Sequence, residues 1–88
     1  MSEGMSGLIH QFTGQIRTSD GGLYAAEVHG AERPDGTWEG WIEFRPLDGR
    51  GPTLRTDRET TQPDRGALVY WATGLEPLYL EGALARAL

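Results

Sequence analysis

Three acidic-glycine turn signals constrain this chain more than any other feature: "SDGG" at 19–22, "PDG" at 34–36 and "LDGRG" at 47–51. They recur about every fifteen residues. Asp-Gly between alternating segments favours the tight turns of antiparallel hairpins, because glycine accepts the left-handed backbone that such turns need. Three turns define four flanking segments, so the first two-thirds of the chain is predicted to be a four-stranded meander. At the second turn Pro34 fixes φ for the first corner and Gly36 suits the left-handed position.

Side-chain alternation supports this division. Leu8, His10, Phe12, Gly14 and Ile16 fall on one face of a first strand, opposite Gln11, Thr13 and Gln15. Over 23–31, Tyr24, Ala26, Val28 and Gly30 oppose Ala25, Glu27, His29 and Ala31. In the third strand Trp38, Gly40, Ile42 and Phe44 oppose Glu39, Trp41, Glu43 and Arg45. A fourth strand over about 52–58 has Leu54 as its one large apolar residue, which suits an edge.

The pattern changes after Glu59. "TTQPDRGALVYWATG" carries helix punctuation: Thr61 as N-cap, Pro63 in the first turn and Gly74 as C-cap. Ala67, Leu68, Trp71, Ala72 and Leu75 form its apolar stripe, which leaves Val69 and Tyr70 outside. Beyond it, Leu78, Leu80, Gly82, Leu84 and Leu88 fit a period of two, while Leu80, Leu84 and Leu88 also fit helical spacing. The expectation is a fifth strand over about 77–82 and a short C-terminal helical tail, which the Ala-Leu-rich end favours. The class is mainly β (α+β). The architecture expected is a small SH3-like barrel or a strongly curled antiparallel sheet of about five strands, with one helix between strands 4 and 5. Closure of a short, glycine-rich sheet removes its edges. Residues 1–7 are expected to be a disordered N-terminal tail and 8–88 a single small domain.

Composition narrows the chemistry. With 88 residues the core is thin, and with no cysteine there is no disulfide, thiol catalyst or thiolate metal site. All eight basic residues are arginine, which excludes a lysine Schiff base and a P-loop lysine. A formal charge of -5 opposes nucleic-acid and anionic-membrane binding. No segment has the length of an apolar span, and "MSEGMSG" lacks the regions of a signal peptide, so the cytoplasm is the default expectation.

No catalytic set converges. His10 and His29 alternate onto opposite faces, which disfavours a metal site. Ser2, Ser6 and Ser19 lie in the tail and a turn, away from any nucleophile elbow. Glu39 and Glu43, with Glu27 across the hairpin and Arg45 beside them, read as a mixed-charge outer surface. Arg45, Arg50, Arg55, Arg58 and Arg65 share one window with Asp48, Asp57, Glu59 and Asp64. They suit an ion-pair network, with anion binding by Arg55, Arg58 and Arg65 near the helix start as the other reading. Trp38 and Trp71 are expected in the core, with Trp71 as a partner able to fill the gap beside Gly40. Trp41 is an outer aromatic ringed by glutamates, a pattern shared by interface anchors and by side chains that cover sheet backbone.

The blocks "ERPDGTWEGWIEF", "RETTQP" and "YWATGLEPLYLEGALARA" resemble a group of short bacterial proteins without an assigned function. The resemblance implies a bacterial origin and a cytosolic setting, and it carries no activity, cofactor or catalytic residue. The functional expectation is a small non-enzymatic module without cofactors. It would bind a protein partner or its own copy, as a homodimer, through Trp41, Val69 and Tyr70. The alternative is a small-anion or nucleotide-binding protein; nucleic-acid binding and acid-base catalysis rank lower.

Overall fold

A computed structural model describes residues 6–88. Five strands come first: β1 (Ser6–Arg17), β2 (Leu23–Glu32), β3 (Trp38–Pro46), β4 (Leu54–Arg55) and β5 (Thr60–Gln62). Two helices follow, α1 (Arg65–Thr73) and α2 (Pro77–Ala87). The sheet is antiparallel, in the order β1-β2-β3-β4, with β5 also paired to β3. The meander read from the turn signals is therefore present. In the β2–β3 turn, Gly36 takes φ +88° and the Asp35 carboxylate accepts from the Thr37 backbone N–H at 2.9 Å.

β4 and β5 are two pieces of one interrupted strand. Between the Phe44–Leu54 and Gly40–Thr60 pairs, β3 has three residues and its partner has five. The excess bulges outward at Asp57 and Arg58. Thr56 keeps the edge of β3 satisfied there. Its N–H donates to the Ile42 carbonyl at 2.9 Å, and its hydroxyl accepts from the Ile42 N–H at 3.1 Å. That side chain replaces a backbone partner that the bulge has carried away.

Several expectations are corrected. The sheet is not closed into an SH3-like barrel, since β1 and the β4–β5 strand remain its ends. The helix expected after Glu59 is present as α1, but the fifth strand expected beyond it is helix α2, and the fifth strand of the sheet is the short β5 before α1. Thr61 is in β5 opposite Glu39, and Asp64 is the N-cap of α1, its carboxylate accepting from the Ala67 N–H at 2.8 Å. The vacant edge of β3 supplies Thr61 with backbone partners, and a carboxylate is a better cap than a threonine hydroxyl. Residues 77–82 form the first half of α2. Leu78 is 79% exposed and Leu80 2%, so period two fails, while Leu80, Ala83, Leu84 and the partly buried Ala87 follow helical spacing. Pro77 fits the first helical turn and would cost a ladder hydrogen bond inside a sheet. β1 begins at Ser6, within the segment expected to be a disordered tail; residues 1–5 lie outside the described residues.

Both helices pack on one face of the sheet. Ile16, Ala26, Val28, Ile42 and Phe44 meet Ala72, Leu80, Ala83 and Leu84 in a single core. Gly30 and Gly40 are paired directly across β2 and β3, and they form a notch beneath α1. A Cβ on Gly30 would lie 2.6 Å from Leu68 Cδ2, and one on Gly40 would lie 2.7 Å from Leu68 Cδ1. Leu68, not Trp71, fills the gap expected beside Gly40. Trp71 stands edge-on to Tyr79, with ring centroids 6.3 Å apart.

A second correction concerns β1. Its pairing shifts by one residue between Leu8 and His10, and by two between Gln11 and Gln15. Leu8 therefore lies opposite His29 on the outer face, 48% exposed, while Ile9 packs against the core. A bulge reverses alternation on one side of itself. Among the described residues no helix is long and apolar enough to cross a membrane.

Candidate functional site

The helix-free face of the sheet collects the polar side chains of the alternating strands. Register places Gln11, Glu27, Glu43 and Arg55 in one row across the sheet, with His29 and Trp41 paired in the next. Glu27 directly opposite Glu43 would by itself be a repulsive cross-strand pair. The neighbours remove that repulsion by donating to both carboxylates. His29 Nε2 lies 2.9 Å from Glu27 Oε1 and 3.6 Å from Glu43 Oε1. Arg45 Nη1 donates to Glu27 Oε2 at 3.1 Å, and Gln11 Nε2 reaches the same oxygen at 3.4 Å. Trp41 Nε1 donates to Glu43 Oε2 at 3.0 Å.

Carboxylates accept and do not donate, so the nitrogen facing both of them carries the proton of His29. The His29 hydrogen bond, helped by Arg45, holds the Glu27 carboxyl below its ordinary value despite the opposing effect of burial. Both Glu27 carboxylate oxygens are thereby engaged as acceptors. Among the described residues no cluster of three or more histidine, aspartate or glutamate side chains is arranged to hold a metal ion.

Trp41 lies flat on this face. Its exposure is 9%, and the Arg55 guanidinium sits 4.0 Å above the ring centroid. The result is a stack in three layers: sheet backbone, indole, guanidinium. Trp41 thus presents Arg55 to solvent rather than its own ring. Tyr70 is the reverse case, 83% exposed on α1, with Val69 half-buried beside it.

The three arginines considered for anion binding do not converge. Arg55 is opposite Glu43 in β4, and Arg58 is on the edge bulge. Arg65 begins α1, three residues beyond the Gln62 that pairs with Trp38. Five residues of β3 separate those two pairing positions, about 16 Å at strand rise. The Asp64 carboxylate also caps the N-terminus of α1, which a bound anion would otherwise use.

Sequence reasoning placed Glu27, His29, Trp41, Glu43 and Arg45 on one face but did not join them into a network. The signal was present in the hairpin register. Once the turn pairs Glu32 with Trp38, counting back sets His29 against Trp41 and Glu27 against Glu43. Gln11 and Arg55 were not accessible that way, because a register shift in β1 breaks the count to Gln11 and the long connection 47–53 separates β3 from β4.

A second polar group fastens α2 to the sheet. Glu59, at the end of the bulge, accepts from Tyr79 Oη at 2.5 Å and from Arg86 Nη2 at 2.7 Å. Burial, and then the neighbouring Glu59 carboxylate, push the Tyr79 phenol up from its ordinary value. The group is a clasp between α2 and the interrupted strand. No family model, curated protein or solved structure matches the chain.

Proposed function

We propose that this protein is a non-enzymatic, protein-binding module of the cytoplasm, and that its contact surface is the helix-free face of the sheet. The observation that carries the reading is the Arg55–Trp41 stack within the network of Glu27, His29, Glu43 and Arg45. Tryptophan and arginine dominate protein interfaces. Here both are held by neighbours before any partner arrives, so little side-chain entropy remains to be lost on binding. The ordered face offers several hydrogen-bonding groups, which supports a binding role.

The test uses the full chain as bait in a lysate of its source cells, with footprinting of the captured complex. The expected result is protection of the Arg55 guanidinium and at least tenfold weaker capture by an Arg45→Ala/Arg55→Ala variant whose circular dichroism is unchanged. Capture unaffected by that variant, or lost instead on Tyr70→Ala, would overturn this placement.

A further inference from the structure

The two ends of the open sheet are built differently. The β4–β5 edge carries several devices that keep a strand from pairing with another chain. Pro52 and Pro63 flank it, Arg55, Asp57, Arg58 and Glu59 place charge along it, and the bulge at Asp57–Arg58 breaks its line. β1 has no charged residue and no proline from Ser6 to Ile16, a run of eleven residues in a chain that is otherwise rich in both charges and turns. Its two register shifts are its sole guard. Among the described residues no strand pairs along its outer side. Leu8 stands on this strand as one of the exposed large apolar side chains.

We infer that β1 is a self-pairing edge, on which a second copy of this chain docks antiparallel through the Ser6–Gln11 segment. Unpaired N–H and C=O groups in a row select an extended strand as the occupant. The absence of charge selects the same strand from another copy. Antiparallel pairing about a two-fold axis places like residues symmetrically, so any charge in this segment would meet itself across or beside the axis. Copies carrying a net charge of -5 repel one another over most of their surfaces, and β1 is where that repulsion is weakest. Pairing there joins two sheets into one and leaves both helix-free faces on the same side. The inference does not depend on the function proposed above, because it uses the backbone edge of β1 and not the Trp41–Arg55 face.

The chain lacks cysteine, so a single introduced cysteine reports its own symmetry mate without background. Single cysteines at positions 6–11, with Tyr70→Cys and Arg58→Cys as controls, are oxidised in the full-length protein at several concentrations. The expected result is a concentration-dependent dimer by sedimentation, with disulfide dimers concentrated at one or two positions of the segment, since opposite residues of paired strands have Cβ atoms close enough to bridge. Leu8→Lys, at an exposed site, is expected to raise the dimer dissociation constant at least tenfold. A strict monomer at the highest accessible concentration would overturn the inference. So would a dimer that cross-links through Tyr70 or Arg58 rather than β1. If Leu8→Lys fails to fold by circular dichroism, the cysteine series alone decides. Arg45→Ala/Arg55→Ala is expected to leave the dimer intact, which separates failure of this inference from failure of the binding-face reading.

Discussion

β3 shows two kinds of order within nine residues. Its inner side presents Trp38, Gly40, Ile42 and Phe44, and its outer side presents Glu39, Trp41, Glu43 and Arg45. The inner side is held by shape: the fully buried Leu68 enters the notch of Gly30 and Gly40. The outer side is held by pairing: each carboxylate of the Glu27–Glu43 pair accepts from a named donor. Tight packing has steep costs for small changes of volume. Half-exposed polar pairs are softer, because water substitutes for a lost partner. The two sides of one strand thus differ in how much a single substitution should matter.

The comparison breaks most decisively at the core. Phe44→Ala should destabilise by about 3–5 kcal/mol, read from the midpoint of urea unfolding, because a fully buried ring leaves a cavity. A loss under about 1 kcal/mol would mean that the core collapses freely around the gap. Gly40→Ala should cost about 1–3 kcal/mol by overpacking against Leu68. Adding Leu68→Ala should recover part of that cost, and a double-mutant cycle measures the coupling. Strict additivity would show that the notch is not filled by Leu68.

At the interrupted edge, Thr56→Val should cost about 1–3 kcal/mol, because it leaves the Ile42 N–H without its acceptor. On the outer face, Arg55→Ala should cost only about 0.5–1 kcal/mol in stability, the range of an exposed cation–π contact. Its clearer signature is spectroscopic: Trp41 should become accessible to acrylamide quenching while the unfolding midpoint barely moves.

The smallest effect is the pH dependence of Glu27. Its carboxyl is held below the ordinary value of 4.5 by the His29 hydrogen bond first and by Arg45. The stability this contributes is complete above the unfolded value and is lost as the pH falls through the lower folded value. Unfolding midpoints between about pH 5 and pH 3 should therefore fall less steeply in Glu27→Gln than in the native chain. Equal slopes would remove Glu27 from the acid-labile groups.

How far the fold was legible can be judged from particular segments. The meander was legible because Asp-Gly turns are local and each carries its own backbone requirement, as Gly36 does at φ +88°. The fate of 77–82 was not, because Leu80 and Leu84 fit both periods. Their assignment depended on which of Leu78 and Leu80 would find a core, and that depends on where α1 lies. Leu8 was misplaced for a related reason: a bulge carries little sequence signal, yet it inverts the facing of every residue on one side of it.

The sequence by itself determined the turns, the facing of β2 and β3, and the separation of Trp38 from Trp41 onto opposite sides of one strand. Those features follow from local backbone preference and a period of two. The tertiary structure decided the filling of the Gly30–Gly40 notch by Leu68, the covering of Trp41 by Arg55, and the choice of an open sheet over a closed barrel. Each of these needs residues distant in the chain to meet. Helices that cover one face bury it without closure, and the edges of the sheet remain free.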